Sequence, residues 1–526
     1  MEPAVHNLLE NSARIRPDKV ALVQGDLRIT YRQANTRANR VAGWLIDEGV
    51  LPGERVVLLL KNGIEYLAGY YGILKAGAVA VPLNCDLRVD ALRELLADLH
   101  AVAVICGSEG EQLLNGIDSD LFGIRLLLIK DASGSRTPRG ARVFAWDEVV
   151  TDADLPDHGL ATNASALAGI IYTSGSTGAP KGVMLSHRNI VSNTCSIIQY
   201  LGLNENDVQM VVLPFFYVMG KSLLNTHVAV GGTVVVNNAF AYSAPVIRQM
   251  AQEGVTGFSG VPSTYAYLLH RSPLAAFRDK LPALRYCTQA GGHMAREIKQ
   301  RLMEVLPPHT RLYIMYGATE AAARLTYVEP EMLVEKIDSI GRAIPGVTVR
   351  VLDEKGEEVA EGEIGELVAS GANIMLGYWR DEIATGRVLD ANGYHTGDMG
   401  YRDGDGYLYV TGRKDHLLKV GGHRLDPQEI EDALMATGEL LEVAVLGVDD
   451  HLLGKKLVAI AVSLQENPSD KVLLSRCLSR LPRHKIPSEI RFVAALPKYA
   501  SGKIDRAACL EAPPLAGPCC SGRQGD

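Results

Sequence analysis

Residues 55–83, RVVLLLKNGIEYLAGYYGILKAGAVAVPL, decide the fold class because they place an apolar helix between two apolar strands. The runs RVVLLL and AVAVPL are rich in aliphatic residues and predict buried strands, whereas GIEYLAGYYGILKAG predicts a buried helix. Two strands that are joined through a helix run parallel in one sheet, and the crossover is right-handed. The segment therefore predicts an α/β fold with largely parallel sheets.

The same alternation extends in both directions from this segment. KVALVQG and LRITY predict a hairpin before it, and LAGIIYT, VQMVVLP, GTVVVNN, GVTGFSGVP, LRYCTQAGG and LYIMYG predict further strands. Short turn-rich segments of alternating polarity predict a β-rich subdomain at about residues 340–412. We therefore expect a large N-terminal domain over residues 1–414, a small α+β C-terminal domain over 415–512 and a disordered tail over 513–526.

Composition excludes several classes of function. The chain has 526 residues, 47% of them hydrophobic, and a net charge of −8, so a nucleic-acid partner is not expected. Lys75 interrupts the most apolar window, and the first residues hold no signal-peptide block, so we expect no transmembrane segment and a cytoplasmic location. The eight cysteines have no metal-ligand spacing and predict free thiols. Cys519 and Cys520 fall in the predicted tail, and their role stays open.

A glycine- and hydroxyl-rich loop, TSGSTGAPK at residues 173–181, ends in a lysine. Glycines let such a loop point backbone N–H groups at an anion, and hydroxyls add further donors. A Walker A loop does not fit, because two residues separate Gly178 from Lys181, and a hydrolase elbow does not fit, because Ser176 directly follows Gly175. Taken alone, the loop fits a phosphate-binding site and a polar linker equally well.

The loop is one of seven motifs whose order resembles the adenylate-forming superfamily of acyl-CoA synthetases, adenylation enzymes and luciferases. The motifs, within residues of about 15 to 510, are YTSGSTGAPKGV, YGATEA, GELVASGANIMLGYW, YHTGDMG, GRKD, GGHRLDPQEIE and PKYASGKIDR. The resemblance implies that a carboxylic acid attacks ATP to give an acyl-adenylate and pyrophosphate, after which a thiol displaces AMP. It also implies a small C-terminal domain that moves between the two half-reactions.

The resemblance also assigns a nucleotide site. Asp398 would accept the ribose hydroxyls, Tyr316 would lie against adenine, Thr319 would donate to the α-phosphate and Glu320 would hold Mg²⁺. The residues alone leave open that YGATEA is a turn in which Thr319 only caps a helix. The residues implied in ATP binding are Thr173, Ser174, Gly175, Ser176, Thr177, Gly178, Lys181, Gly291, Gly292, Tyr316, Gly317, Asp398 and Arg413.

Four residues of the C-terminal region carry further implied roles. Lys503 would bridge the carboxylate and the α-phosphate during adenylation, although a surface lysine beside a glycine turn is the alternative. Asp415 would be the hinge about which the small domain turns. Gly422 and Arg424 of GGHRL would then approach the pantetheine arm and a phosphate of coenzyme A.

The acid pocket is implied to include Tyr217, Val218, Ala290 and Met315. The run FFYVM lacks the carboxylate that would pair with a substrate ammonium, so an α-amino acid is not expected. Many relatives have histidine where Tyr217 stands, which leaves the gating role open. Ala290 and Met315 add bulk and predict an uncharged acyl group of short to medium length, although core packing explains Met315 equally well.

The thiol acceptor has two candidates. VGGHRL resembles the corresponding stretch of short-chain acyl-CoA synthetases and favours coenzyme A. The alternative is a stand-alone adenylation enzyme that loads the phosphopantetheine of a carrier protein in trans. The residues neither support nor exclude a luciferase-like oxidation.

Overall fold

The computed structural model describes residues 2–117, 123–132, 140–153, 155–158, 160–173, 180–240, 243–414, 418–420, 423–450, 454–466, 468–499 and 502–515. Within these ranges, no helix is both long and apolar enough to cross a membrane. The six cysteines that they contain are free thiols.

Helices and strands alternate along the described chain. The helices are α1 (His6–Ile15), α2 (Tyr31–Asp47), α3 (Ile64–Lys75), α4 (Val89–Leu99), α5 (Ser108–Asn115), α6 (Trp146–Val149), α7 (His187–Leu201), α8 (Val218–Val230), α9 (Ser243–Gln252), α10 (Pro262–Arg271), α11 (Arg296–Val305), α12 (Glu382–Val388), α13 (Pro427–Met435), α14 (Asp470–Cys477) and α15 (Arg506–Cys509). Short 3₁₀ turns lie at Leu274–Lys280, Thr319–Ala321, Pro330–Met332 and Arg483–Lys485. The strands are β1 (Val20–Gln24), β2 (Leu27–Thr30), β3 (Arg55–Leu59), β4 (Val79–Pro82), β5 (Ala103–Cys106), β6 (Leu126–Ile129), β7 (Arg142–Ala145), β8 (Leu167–Thr173), β9 (Lys181–Ser186), β10 (Val208–Val211), β11 (Thr233–Val236), β12 (Gly257–Gly260), β13 (Tyr286–Gln289), β14 (Arg311–Tyr316), β15 (Thr326–Val328), β16 (Arg342–Ala343), β17 (Val347–Leu352), β18 (Gly365–Gly371), β19 (Gly377–Tyr378), β20 (Leu389–Asp390), β21 (Gly393–Arg402), β22 (Leu408–Arg413), β23 (Leu418–Val420), β24 (His423–Leu425), β25 (Leu440–Asp450), β26 (Gly454–Ser463) and β27 (Glu489–Phe492).

The first sheet has eight strands in the order β19-β9-β8-β4-β3-β5-β6-β7. β3 and β4 pair in parallel across α3, as the segment at residues 55–83 predicts. Parallel pairing continues from β3 through β5 and β6 to β7. One edge departs from the parallel pattern, because β8, β9 and β19 pair antiparallel.

The second sheet has nine strands in the order β16-β15-β14-β13-β12-β10-β11-β1-β2. β14 through β11 pair in parallel, and the predicted hairpin of β1 and β2 closes one edge antiparallel. Leu58 of the first sheet and Val234 of the second lie in one hydrophobic core with Tyr70 of α3 and Leu224 of α8. The α/β fold with helices that flank two large sheets is therefore confirmed.

A smaller antiparallel sheet follows these two. β17, β18, β21 and β20 form it, and β22 adds to β21. Its core includes Val351, Leu367 and Ala369 on the sheet together with Ala321 and Leu325, which follow β14. The sheet is therefore anchored beside the carboxyl end of β14.

The C-terminal region has a separate core between the three-stranded sheet β25-β26-β27 and helices α13 and α14. α13 begins at Pro427, and the side chain of Asp426 caps it by accepting from the Gln428 N–H. This region packs on α10, where Ala266 joins a core cluster with Leu441 and Ile460. The domain boundaries stay a prediction, and the expected hinge, Asp415, lies outside the described residues.

Candidate active site

The strands on both sides of the glycine-rich loop form an antiparallel hairpin. Thr173 at the end of β8 pairs with Lys181 at the start of β9, and the Thr173 Oγ1 donates to the Lys181 carbonyl at 3.5 Å. The hairpin therefore fixes where the loop begins and ends. The loop residues Ser174, Gly175, Ser176, Thr177 and Gly178 lie outside the described residues, and their phosphate-binding role stays a prediction.

A tyrosine connects the lysine of this hairpin to the carboxylate of YGATEA. The Lys181 Nζ lies 5.0 Å from the ring centroid of Tyr378, and the Tyr378 hydroxyl donates to Glu320 Oε1 at 2.8 Å. Burial and the Glu320 carboxylate raise the pKa of Tyr378, so the phenol stays a donor. Tyr378 reaches this position because β19 pairs with β9. Thr319, one residue before the carboxylate, is buried.

Asp398 lies at the centre of a second cluster. Asp398 on β21 stands opposite Arg413 on β22, and the Arg413 Nη1 donates to its Oδ1 at 3.2 Å. The Tyr316 hydroxyl donates to the other oxygen, Oδ2. Burial, and then the nearby Asp398 carboxylate, raise the pKa of Tyr316 well above its ordinary value. The structure thus brings together Tyr316, Asp398 and Arg413, the three residues that the resemblance assigns to adenosine.

The backbone requires glycine at two positions of the predicted nucleotide site, Gly317 and Gly291. Gly317 directly follows β14, and a Cβ atom there would lie 2.1 Å from the Ala323 carbonyl oxygen. Gly291 has a φ of +86°, which favours glycine. Its neighbours are the buried Ala290 and Gly292, whose carbonyl accepts from the Gln289 side chain at 2.8 Å.

Lys503 comes to this region from the C-terminal part of the chain. The Ser263 Oγ on α10 donates to the Gly502 carbonyl at 3.1 Å. Gly502 has a φ of +81°, and a Cβ atom there would lie 2.8 Å from Val261 Cγ2. The exposed Lys503 places its Nζ 6.0 Å from the ring centroid of Tyr217, the residue that precedes Val218 at the start of α8. The docked loop therefore carries the lysine to Tyr217, a residue of the predicted acid pocket.

The C-terminal residues that the resemblance assigns to the hinge and to thioester formation are described only in part. Arg424 lies on β24, where its backbone pairs with Lys419 on β23. Gly422 and Asp415 lie outside the described residues. The roles of all three stay predictions.

The donor set around Glu320 fits a magnesium ion that is shared with a nucleotide. Mg²⁺ is usually held by one or two carboxylates together with substrate phosphates and water. In the part of the chain that the structure describes, no three His, Cys, Asp or Glu residues cluster as a metal site. Glu320, a single carboxylate near the β8–β9 hairpin through Tyr378, is compatible with an ion of this kind.

Sequence reasoning missed a buried cation on α8. Lys221 is 4% exposed, and its Nζ lies 4.8 Å from the ring centroid of Tyr70 on α3. No carboxylate of the described residues forms an ion pair with it. Burial lowers the pKa of Lys221 to about 7. A lysine within the apolar stretch FFYVMGKSLL was the available signal.

Replacement of Lys221 by methionine is expected to stabilise the protein at pH 6. The pKa of Lys221 is about 7 in the folded chain and 10.5 when the side chain is exposed. Between pH 7 and pH 10.5 the unfolded chain therefore binds more protons than the folded chain. Wild-type stability should consequently rise with pH across this window, and the advantage of Lys221→Met should shrink. Denaturant midpoints at pH 6 and pH 9 measure this, with the exposed Lys471→Met as control. Parallel pH profiles of wild type and Lys221→Met would contradict the assignment.

Two family models match the chain. The model of the AMP-binding enzyme family matches residues 9–379, and that of the AMP-binding enzyme C-terminal domain matches residues 429–503. The first match includes the β8–β9 hairpin, Tyr316 and Glu320, and the second ends at Lys503. Each cluster described above therefore contains residues of a matched region.

Known proteins resemble the chain over nearly its full length. Feruloyl-CoA synthase of Amycolatopsis sp is 33% identical over 497 residues, which cover 94% of this chain and 95% of that protein. The structure of anthranilate CoA ligase AuaEII in complex with anthranoyl-AMP has a TM-score of 0.88 at 26% identity and covers 97% of both chains. The o-succinylbenzoate coenzyme A synthetase of Bacillus subtilis, in complex with ATP and magnesium ion, has a TM-score of 0.79 at 26% identity and covers 96% of this chain and 99% of that one. The chain belongs to the AMP-binding enzyme family, within the adenylate-forming superfamily.

Proposed function

We propose that this protein is an AMP-forming acyl-CoA synthetase, which activates a carboxylic acid with ATP and transfers the acyl group to coenzyme A. The observation that carries the proposal is the docking of Lys503 beside Tyr217, a residue of the predicted acid pocket. The clusters around Asp398 and Glu320 supply the groups that a nucleotide with Mg²⁺ requires. The family match and the adenylate in the structure of AuaEII support the same chemistry.

Each cluster has one task in adenylation. Asp398, held by Tyr316 and Arg413, accepts the ribose hydroxyls and fixes the α-phosphate in position. Lys181 and the loop before it hold the phosphates that leave as pyrophosphate. When bound, Mg²⁺ on Glu320 neutralises phosphate charge. Lys503 donates to the carboxylate and the α-phosphate, and so stabilises the charge that develops as the acid attacks.

Thioester formation requires Lys503 to withdraw. We propose that the C-terminal domain turns about Asp415 and brings Gly422 and Arg424 to the site that Lys503 occupied. The pantetheine thiol then attacks the acyl carbonyl, and AMP leaves. The names of the relatives, feruloyl-CoA synthase and o-succinylbenzoate coenzyme A synthetase, support coenzyme A as the acceptor.

We also propose that the enzyme works in the cytoplasm. The six described cysteines are free thiols, and burial raises the pKa of Cys106 and Cys287. Free thiols persist in a reducing compartment.

Acid-dependent exchange of labelled pyrophosphate into ATP tests the proposal over a broad panel of carboxylic acids. The accepted acids are then incubated with ATP and either coenzyme A or a holo-carrier protein, and the products are identified by mass spectrometry. We expect acyl-CoA, AMP and pyrophosphate. Acylation of the carrier protein without acyl-CoA would contradict the proposed acceptor, and the absence of exchange with every acid would contradict adenylation.

A further inference from the structure

The segment 373–379 connects the two parts of the predicted phosphate site. Its strand β19 pairs with β9 of the β8–β9 hairpin, and the Trp379 N–H donates to the Gly182 carbonyl at 2.7 Å. Closer to the start of the segment, the Met375 N–H donates to the Glu320 carbonyl at 2.8 Å. The segment is therefore fixed both to the hairpin and to the turn that carries Glu320.

The turn after Glu320 has a backbone conformation that residues other than glycine seldom adopt. Ala322 and Ala323 have φ angles of +54° and +126°. The side-chain amide of Asn373 holds this turn, because its Nδ2 donates to the carbonyls of the residues on either side of the two alanines, at 3.0 and 3.1 Å. A strained turn persists only where its surroundings fix it. The segment thus fixes the backbone position of Glu320 as well.

Tyr378 of this segment contacts both charged groups of the site. Its hydroxyl donates to Glu320 Oε1 at 2.8 Å, and the Lys181 Nζ lies 5.0 Å from its ring centroid. Among the residues that the structure describes, neither Lys181 nor Glu320 forms an ion pair. A direct pair would satisfy both charges, whereas the tyrosine contacts each of them with a neutral group. The ammonium and the carboxylate therefore keep their charges available for ligands.

The tyrosine itself has a defined position. Tyr378 is 6% exposed and packs in the same hydrophobic core as Val183 of β9. Its N–H donates to the Thr385 Oγ1 at 2.9 Å, and a Cβ atom at Gly377 would lie 2.8 Å from the Thr385 Cγ2. A side chain that is fixed by packing and by hydrogen bonds can hold other groups of a site in place.

We propose that Tyr378 is a positioning residue for the binding of ATP with Mg²⁺. The inference rests on the proposed function. The Tyr378 hydroxyl orients the Glu320 carboxylate toward the ion, and the Tyr378 ring orients the Lys181 ammonium toward the phosphates that leave as pyrophosphate. Groups that orient a metal ligand in this way typically account for about 10–100-fold in metal affinity. Because the hydroxyl and the ring act on different groups, substitution can separate their contributions.

The affinity for ATP in magnesium chloride and in EDTA tests the inference. Isothermal titration calorimetry of the full-length enzyme without acid gives the Kd under both conditions. Tyr378→Phe keeps the ring, so it should weaken the binding of ATP with Mg²⁺ by roughly 10-fold and leave the binding in EDTA unchanged. Tyr378→Leu also removes the ring, so it should in addition weaken the binding in EDTA by roughly 2–5-fold, the usual contribution of a cation–π contact.

Tyr407→Phe is the matched control. Tyr407 is 1% exposed, and its hydroxyl donates to Glu329 Oε2 at 2.9 Å. The control therefore loses the same kind of bond between a buried tyrosine and a glutamate, but at residues that are not assigned to the nucleotide site. It should bind ATP like the wild type under both conditions.

Glu320→Gln shows whether the hydroxyl acts through the carboxylate. This variant should lose most of the gain in ATP affinity that Mg²⁺ provides. The addition of Tyr378→Phe should then cause no further loss, because two changes that act through one contact are not additive. A further 10-fold loss in the double variant would overturn the inference.

The remaining results separate the inference from the proposed function. Equal weakening of Tyr378→Phe in magnesium chloride and in EDTA overturns the inference, because it indicates a general defect, and so does wild-type affinity under both conditions. A wild type that binds ATP with Mg²⁺ but activates no acid of the broad panel contradicts the proposed function alone. The comparison of Tyr378→Phe with the wild type decides the matter even where Tyr378→Leu does not fold.

Discussion

Lys503→Ala is expected to lower the rate of acyl-adenylate formation by roughly 10²–10³-fold, the usual effect of removing one preorganised electrostatic contact. The structure places the Lys503 Nζ 6.0 Å from the ring centroid of Tyr217, and Ser263 holds the loop there through the Gly502 carbonyl. Since the Lys503 side chain is proposed to contact the reacting groups from this docked position, its removal should raise the barrier to adenylation. Acid-dependent pyrophosphate exchange measures the change.

The second half-reaction provides the control for Lys503. Since Lys503 is proposed to withdraw before thiol attack, Lys503→Ala should convert a synthetic acyl-adenylate and coenzyme A to acyl-CoA at close to the wild-type rate. Lys471→Ala, on the exposed side of α14, should leave both half-reactions unchanged. Equal losses of Lys503→Ala in both half-reactions would contradict the assignment, because they would indicate a general defect.

Asp398→Ala is expected to lower kcat/KM for ATP by roughly 10²-fold, because hydrogen bonds to a charged group contribute about 1.5–3 kcal/mol each. The variant removes the proposed acceptor for the ribose hydroxyls, and it removes the carboxylate whose two oxygens accept from Tyr316 and Arg413. Initial rates at varied ATP and at varied acid measure the change. The KM for the acid should change little.

A carboxylate on the same hairpin gives the matched control for Asp398. Asp405 lies in the turn between β21 and β22, is largely exposed and pairs with Lys336 at 2.5 Å. Asp405→Ala should therefore leave the KM for ATP unchanged. An equal rise of this KM in both variants would show that the hairpin, rather than the Asp398 carboxylate, determines nucleotide binding.

Much of the fold follows from local sequence pattern. The segment at residues 55–83 gives β3, α3 and β4 because its apolar runs have the lengths of buried strands and of a buried helix. The antiparallel edge of β8, β9 and β19 could not be predicted from local pattern. β19 has only two residues and joins β9 from a distant part of the chain. Tyr378 reaches Glu320 only through that pairing. No local pattern around GYW reveals it.

The buried charges show a second limit of sequence reasoning. Lys221 and Arg324 each follow small or apolar residues, and an isolated charge in such a run indicates a solvent-facing position as readily as a buried one. Only the packing of α8 and of the segment between β14 and β15 shows that both are buried.

Oxygen-18 transfer tests the central claim, acid activation through an acyl-adenylate, most directly. The acid is labelled in both carboxylate oxygens and converted with ATP and coenzyme A, and the nucleotide product is analysed by mass spectrometry. If a carboxylate oxygen attacks the α-phosphate, that oxygen stays on phosphorus when the thiol displaces AMP. We predict that AMP carries one oxygen-18 atom and that pyrophosphate carries none. Unlabelled AMP, or label in ADP or phosphate, would contradict the account.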